Sequence, residues 1–455
     1  MAGAKAVTVS VDPARTGPAV KERFIGLSFE ASELPALARN SRRGNLVTLL
    51  RSLGPGLLRF GGIAADTDTA FSAHGEAPAW ATTTITPRDL ARLRTLALAT
   101  GWRVLLTLPL GHYDPRLAGR EAATAARRLG PALAAFEIGN EPNAFWLIGL
   151  RPPSYSYFEY LSEIAPYRQA IAQAAPGVPI AGPDTVPQFG GFLWLSAYAR
   201  DEAPALLTPH YYARNACTEP GLTVADLLSP SVATREDQTV AGFAAIARAH
   251  GTPLRVGETN NVACAGQTGV SDTFAGALWA LRYMLTIARS GIAGANFHTL
   301  LDRCSGYSPI CARSADEYRH GRLHAMPEWY ALLLFSQLVG HRLTGVSLSH
   351  QPPGLTVEAL RDEEAGEIEV VAVNTVSGAD APLSIRLAGR RELRSGTVMA
   401  LTAPALEAKA GIRLADARVS RRGTWRPRLR NVSAPGGTLR TVVPGASAVL
   451  IRLKG

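Results

Sequence analysis

From Phe24 to Leu300 the chain alternates between short apolar runs and longer segments in which apolar residues recur at helical spacing. The runs read as strands: Phe24–Glu30, Gly56–Gly62, Arg103–Leu110, Ala134–Pro142, Val178–Asp184, Ala205–Tyr212, Pro253–Asn260 and Gly294–Leu300. Amphipathic stretches such as Pro87–Gly101, Phe158–Gly177 and Gln238–Gly251 lie between them, each closing near a glycine suited to a helix C-terminus. Eight strand and helix units in succession predict an α/β fold, a (β/α)8 barrel over residues 14–340. After Pro327–Gly340 only short alternating runs remain, among them Ile368–Thr375, Ala381–Gly389, Gly396–Ala403 and Ala446–Gly455. These predict an all-β sandwich over residues 341–455. The strand-like run Ala6–Pro13 precedes the barrel, and residues 1–13 are assigned to that sandwich.

Two carboxylates occupy telling positions in this pattern. Glu141 is predicted to end strand four and Glu258 strand seven. Functional groups of such barrels stand at the C-terminal ends of strands, and strands four and seven face each other across the mouth. Period-two alternation places Leu254, Val256 and Glu258 on one face, and Glu137, Gly139 and Glu141 on one face. Two opposed carboxylates, one protonated and one ionised at the same pH, are the machinery of glycosidic bond cleavage. A gap of about 5–5.5 Å retains the anomeric configuration and one of roughly 6.5–9.5 Å inverts it; the sequence leaves this open.

The 455 residues are 47% hydrophobic and 18% charged, which supports a sizeable core and excludes a disordered chain. The longest apolar stretch, Thr273–Gly291, is interrupted by Arg282 and reads as a buried helix rather than a membrane span. The net charge of +10 suits an acidic partner, but no aromatic-interleaved basic motif argues for nucleic acid. Arginines crowd residues 421–430, either to grip an acidic chain or as a solvated face. Cys217, Cys264, Cys304 and Cys311 form no CxxC pair, and their even number in loops predicts the disulfides Cys217–Cys264 and Cys304–Cys311, hence an exported protein. The opening "MAGAKAVTVSVDP" has no apolar signal segment, so the sequence is read as a mature form. His210, His298, His320 and His324 lack an HExxH pattern, so no metal is expected; the absence of GxGxxG and Walker patterns implies no nucleotide cofactor.

The motifs "IGLSFE", "LLRFGGIAAD", "EIGNEPN", "PHYYARNAC", "GETNNVACAGQTGVSDTFAGALW" and "SGYSPI", with a C-terminal "VVPGASAVLIRL", resemble glycoside hydrolase family 79, the β-glucuronidase and heparanase family. The resemblance implies a cofactor-independent retaining β-glycosidase with Glu141 as acid/base and Glu258 as nucleophile. It implies that Asn140 holds the substrate 2-hydroxyl, that Tyr212, on the strand face of His210, hydrogen-bonds the nucleophile, and that Glu30 holds hydroxyls of the terminal sugar. For the carboxylate of a uronic acid it implies the backbone of Cys264, Ala265 and Gly266 together with Tyr307. Arg59 either steadies a carboxylate or pairs with Asp66 or Asp68. Ile63 stands where a polar residue is expected. The implied substrate is a glycan containing β-linked glucuronate. A same-clan enzyme acting on neutral sugars and a non-catalytic protein binding acidic polysaccharide are the competing readings.

Overall fold

The computed structural model describes residues 5–74, 76–389 and 393–454. Residues 1–4 and 455, which the sequence reading assigned to the sandwich and to the mature terminus, lie outside that set.

Eight strand positions form the barrel. Strands six, seven, eight, one, two, three and four are His210–Asn215, Val256–Ala263, Ala295–His298, Ile25–Glu30, Leu57–Gly61, Arg103–Leu108 and Leu133–Ile138, all paired in parallel in that order. Strand five is reduced to Ala181–Gly182, paired with Leu206–Leu207. Single bridges from Phe136 to Ile180 and from Leu207 to Leu254 close the ring. Strand six is interrupted between Leu207 and His210, where Pro209 offers no N–H to a ladder and its carbonyl accepts the Gly257 amide instead.

The helices begin and end where local chemistry dictates. Thr86 and Asp89 form a capping box ahead of Pro87–Thr100, and Gly101 closes that helix with φ +76°; Ser156 and Glu159 cap Tyr157–Ala174 in the same way. Phe274–Arg289 is buried over nearly its whole circumference, as its composition predicts, with Arg282 paired to the buried Glu236.

A ten-stranded sheet forms the second unit, and the strand Val7–Ala19 lies within it, antiparallel to Arg342–Leu348 and parallel to Ala381–Leu387. This strand continues beyond Pro13 through two register shifts. In Ile368–Asn374, Val370 and Ala372 enter the sandwich core while Val371 and Val373 join the core shared with the barrel. Burial on both faces explains why this strand and Ser447–Lys454 carry nearly continuous apolar runs. Among the described residues no helix is long and apolar enough to cross a membrane.

Candidate active site

Arg59, on strand two, is the hub of the barrel mouth. Its guanidinium is fully buried and spends its donors on Glu137 Oε2 (2.8 Å), Glu258 Oε2 (2.8 Å), Asp184 Oδ2 (2.7 Å), Asn140 Oδ1 (2.9 Å) and Ser28 Oγ (3.1 Å). Neither Asp66 nor Asp68 is its partner. Asp66 instead accepts the backbone N–H groups of Leu110, Gly111 and Asn140, at 2.6, 2.8 and 2.6 Å. The alternatives held open for Arg59 thus resolve toward the carboxylates of strands four, five and seven. A buried guanidinium needs several anions to offset its desolvation, and only the barrel interior supplies them.

Glu258 is reached through a register irregularity between Val256 and Thr259, not by simple alternation. Leu254 and Val256 lie in the apolar core, whereas Glu258 turns toward Arg59. A bulge of this kind re-aims a side chain, which is why the shared-face expectation fails here. Glu141 departs from expectation in the same way. Strand four ends at Ile138, Gly139 has φ +73°, and Glu141 itself has φ +56°, so it stands past the strand at the start of the turn Pro142–Ile148. A non-glycine residue held in the left-handed region is a sign of local strain at a position fixed by its surroundings. The Glu141 amide is fixed by the carbonyl of Asp184 at 3.0 Å.

The two carboxylates face each other. One oxygen of Glu141, one of Glu258 and a ring nitrogen of His210 all lie within 4.8 Å of one another. This brings the two carboxyl groups within reach of one bound sugar carbon. These three donors have the spacing a cation would use. A dication there would sit beside the positive Arg59, which already neutralises Glu258, so the donor set does not fit a resident metal.

Their environments differ. Burial alone would raise the Glu258 carboxyl, but His298, His210, Arg59 and the Tyr212 hydroxyl outweigh it and hold the group down at about 2. Tyr212 donates to Oε1 at 2.8 Å. Glu141 is more exposed, with 24% of its side chain accessible against 7% for Glu258, and His210 Nδ1 lies 2.9 Å from its Oε1. Burial and Arg59 oppose charge on His210, yet Glu258 and Glu141 raise its pKa overall. Glu137, below them, is pushed up to about 7 by burial against the pull of Arg59.

Other predicted residues fall around this pair. Asn140 Oδ1 accepts from Arg59 and from the Gly62 amide at 3.0 Å, which leaves its NH2 group as the free end. Glu30 accepts the Ala64 amide at 2.9 Å and lies 3.2 Å from His298 Nε2. Ile63, between those two amides, is half exposed. Cys264, Ala265 and Gly266 take φ values of +63°, +62° and +84° in succession, and the Ala265 amide hydrogen-bonds the Tyr307 hydroxyl. The disulfide Cys217–Cys264 ties this segment to the loop after strand six, and Cys304–Cys311 braces the loop carrying Tyr307. Tyr307 lies beside Tyr212 and His298, with ring centroids at 5.7 and 5.6 Å. The structure therefore brings all the predicted residues to one end of the barrel. His320 and His324 are elsewhere, paired with Asp316 and Glu317.

Four further contributors take places in the site that the sequence did not assign them. His298 bridges Glu30 and Glu258, and although burial disfavours its charge, those two carboxylates raise its pKa to about 9. Its position at the end of strand eight was the available signal. Asp184 and Glu137 anchor Arg59, and Asp66 pins the backbone before Glu141.

No family model matches the chain. A β-glucuronidase of Neurospora crassa is 24% identical over 367 residues, covering 68% of this chain and 63% of that protein. A β-glucuronidase of Aspergillus niger is 27% identical over 191 residues, covering 37% of this chain and 35% of that protein. The chain thus aligns with less than two thirds of the length of these relatives. The solved structure of a 4-O-α-L-rhamnosyl-β-D-glucuronidase from Fusarium oxysporum superposes with a TM-score of 0.79 at 18% identity, covering 98% of this chain and 99% of that one. The barrel and sandwich are shared across that alignment.

Proposed function

We propose that this chain is a retaining β-glycoside hydrolase of the family 79 type that releases glucuronate, or a substituted glucuronate, from the ends of acidic glycans. The observation that carries the reading is the opposed pair Glu141 and Glu258, with oxygens within 4.8 Å and with Arg59 and His298 gathered on Glu258. Similarity to two proteins named β-glucuronidase supports the choice of sugar.

In the first step Glu258 attacks the anomeric carbon while Glu141 gives its proton to the departing glycosidic oxygen, leaving a glycosyl ester on Glu258. In the second, Glu141 takes a proton from water, the water oxygen bonds to the anomeric carbon, and Glu258 leaves as carboxylate. Arg59, His298 and Tyr212 favour the ionised Glu258 needed at the start and regenerated at the end. His210 orients Glu141 through the oxygen not used for proton transfer. The free NH2 of Asn140 suits the sugar 2-hydroxyl, and the Tyr307 hydroxyl, held by the Ala265 amide, suits the carboxylate at C6. The two disulfides fit an oxidising compartment, and we read the protein as exported.

The test is hydrolysis of an aryl β-D-glucuronide beside the matching glucoside, galactoside and xyloside, with Glu141→Gln and Glu258→Gln as blanks. Glucuronide turnover lost in both variants supports the reading. Turnover confined to a neutral sugar keeps the pair and overturns the uronate assignment.

A further inference from the structure

Between residues 413 and 430 the chain carries seven arginines and a single acid, Asp416, a local excess of six within a net charge of +10. Arg413, Arg418, Arg426 and Arg428 line one concavity of about 420 Å³, together with Asp416, Ser420 and Thr424. Among the described residues none of the seven arginines makes an ion pair, whereas buried and surface arginines elsewhere, such as Arg151, Arg168 and Arg289, do. Asp416 engages Arg413 only through its backbone carbonyl, at 3.2 Å.

The segment is rigidly mounted. The Trp425 indole donates to the Leu414 carbonyl at 3.0 Å, the Val419 amide to the Tyr330 hydroxyl at 3.1 Å, and Asn45 Nδ2 to the Arg421 carbonyl at 3.0 Å. Gly423, at φ +80°, lies so close to Leu49 that a Cβ would stand 3.0 Å from its Cγ. The preceding residues Leu406 and Ala408 accept the amides of Ala275 and Phe274, and Lys409 pairs with Asp272 at 2.7 Å. Phe274 opens the helix after strand seven, and Tyr330 lies in the first turns of the helix after strand eight. Both helix starts lie at the C-terminal end of the strands, the end on which Glu258 opens.

We infer that this arginine-lined concavity, which shares no residue with the site around the carboxylate pair, is a second binding site for the carboxylates or sulfates of an acidic polysaccharide. Planar guanidinium forks match such groups bidentately, and four guanidiniums around one carboxylate, with no ion pair among them, are free to do so. Trp425 is half-buried with its indole N–H already used, so the patch presents no free aromatic platform for stacking bases, which favours a glycan over nucleic acid.

The test uses the full chain on immobilised heparin with a NaCl gradient, and in solution with polygalacturonate. The triple variant Arg418→Gln, Arg426→Gln, Arg428→Gln is compared with a control triple, Arg88→Gln, Arg94→Gln, Arg128→Gln, which removes the same charge from exposed barrel helices. The proposal expects the first triple to elute earlier and to bind polygalacturonate on the order of tenfold more weakly, with the control unchanged. Equal losses in both triples would reduce the effect to net charge and overturn it, as would no retention of the parent protein. Duplex DNA bound more tightly than either glycan through the same arginines would also overturn it. Because the readout is binding, it stands or falls separately from the proposed hydrolase activity.

Discussion

Tyr212→Phe isolates one of the groups that keep Glu258 ionised. The hydroxyl donates to Glu258 Oε1 at 2.8 Å, and burial, which by itself would raise the carboxyl, is outweighed until the group lies at about 2. A hydrogen bond to a charged acceptor contributes roughly 1.5–3 kcal/mol, and each 1.36 kcal/mol is one pH step, so its loss should lift Glu258 by about 1–2 pH units. The sign is that of a depressed carboxylate: nucleophile charge is present above the folded pKa and is lost as pH falls through it. The assay is kcat/KM for the aryl glucuronide across the acid range, with recovery on return to neutral pH separating titration from acid unfolding. The acid limb should move from about 2 in the parent toward about 3–4 in the variant. A limb that stays in place, in a variant of unchanged Tm, would refute the claim that Tyr212 holds the nucleophile in its charged form.

Three further outcomes follow from the same geometry. Glu141→Gln should slow release of sugar leaving groups by ~10²–10⁴ while sparing glycosyl fluorides, whose departure needs no proton; equal losses on both would remove Glu141 from the acid role. His298, raised by Glu258 and Glu30 from 6.5 to about 9, stabilises the fold fully below 6.5 and loses that contribution as pH rises through 9. The Tm gap between the parent and His298→Gln should therefore narrow in alkali, and a constant gap would contradict it. Cys217→Ser opens a loop of 47 residues, which chain entropy equates with up to about 4 kcal/mol, and should raise KM for glucuronides more than it lowers kcat; a stability loss with KM untouched would detach the disulfide from the site.

The barrel was legible because hydrophobic periodicity switches cleanly between strand and helix, and counting those switches put Glu141 and Glu258 at opposite sides of one mouth. What periodicity does not carry is the departure from it. The left-handed turn at Gly139 and Glu141 and the irregular register before Thr259 aim both side chains, and neither follows from alternation. Arg59 was read as steadying a carboxylate or pairing with Asp66 or Asp68, but its partners Glu137 and Asp184 lie 78 and 125 residues away in sequence, so only closure of the barrel reveals them. Asp66 was read only as a candidate partner of Arg59, because its acceptors serve backbone amides, which leave no mark in side-chain composition. Strand five escaped its predicted length because two residues, supported by single bridges, suffice to close the ring.

The most direct test of the account is mass spectrometry of the protein after treatment with 2-deoxy-2-fluoro-β-glucuronyl fluoride, which forms the glycosyl ester readily and releases it slowly. The account predicts one fluoro-uronosyl group per chain, carried on the peptide containing Glu258, with label lost in Glu258→Gln. Label on another residue, or glucuronide turnover with inversion and no label, would contradict it.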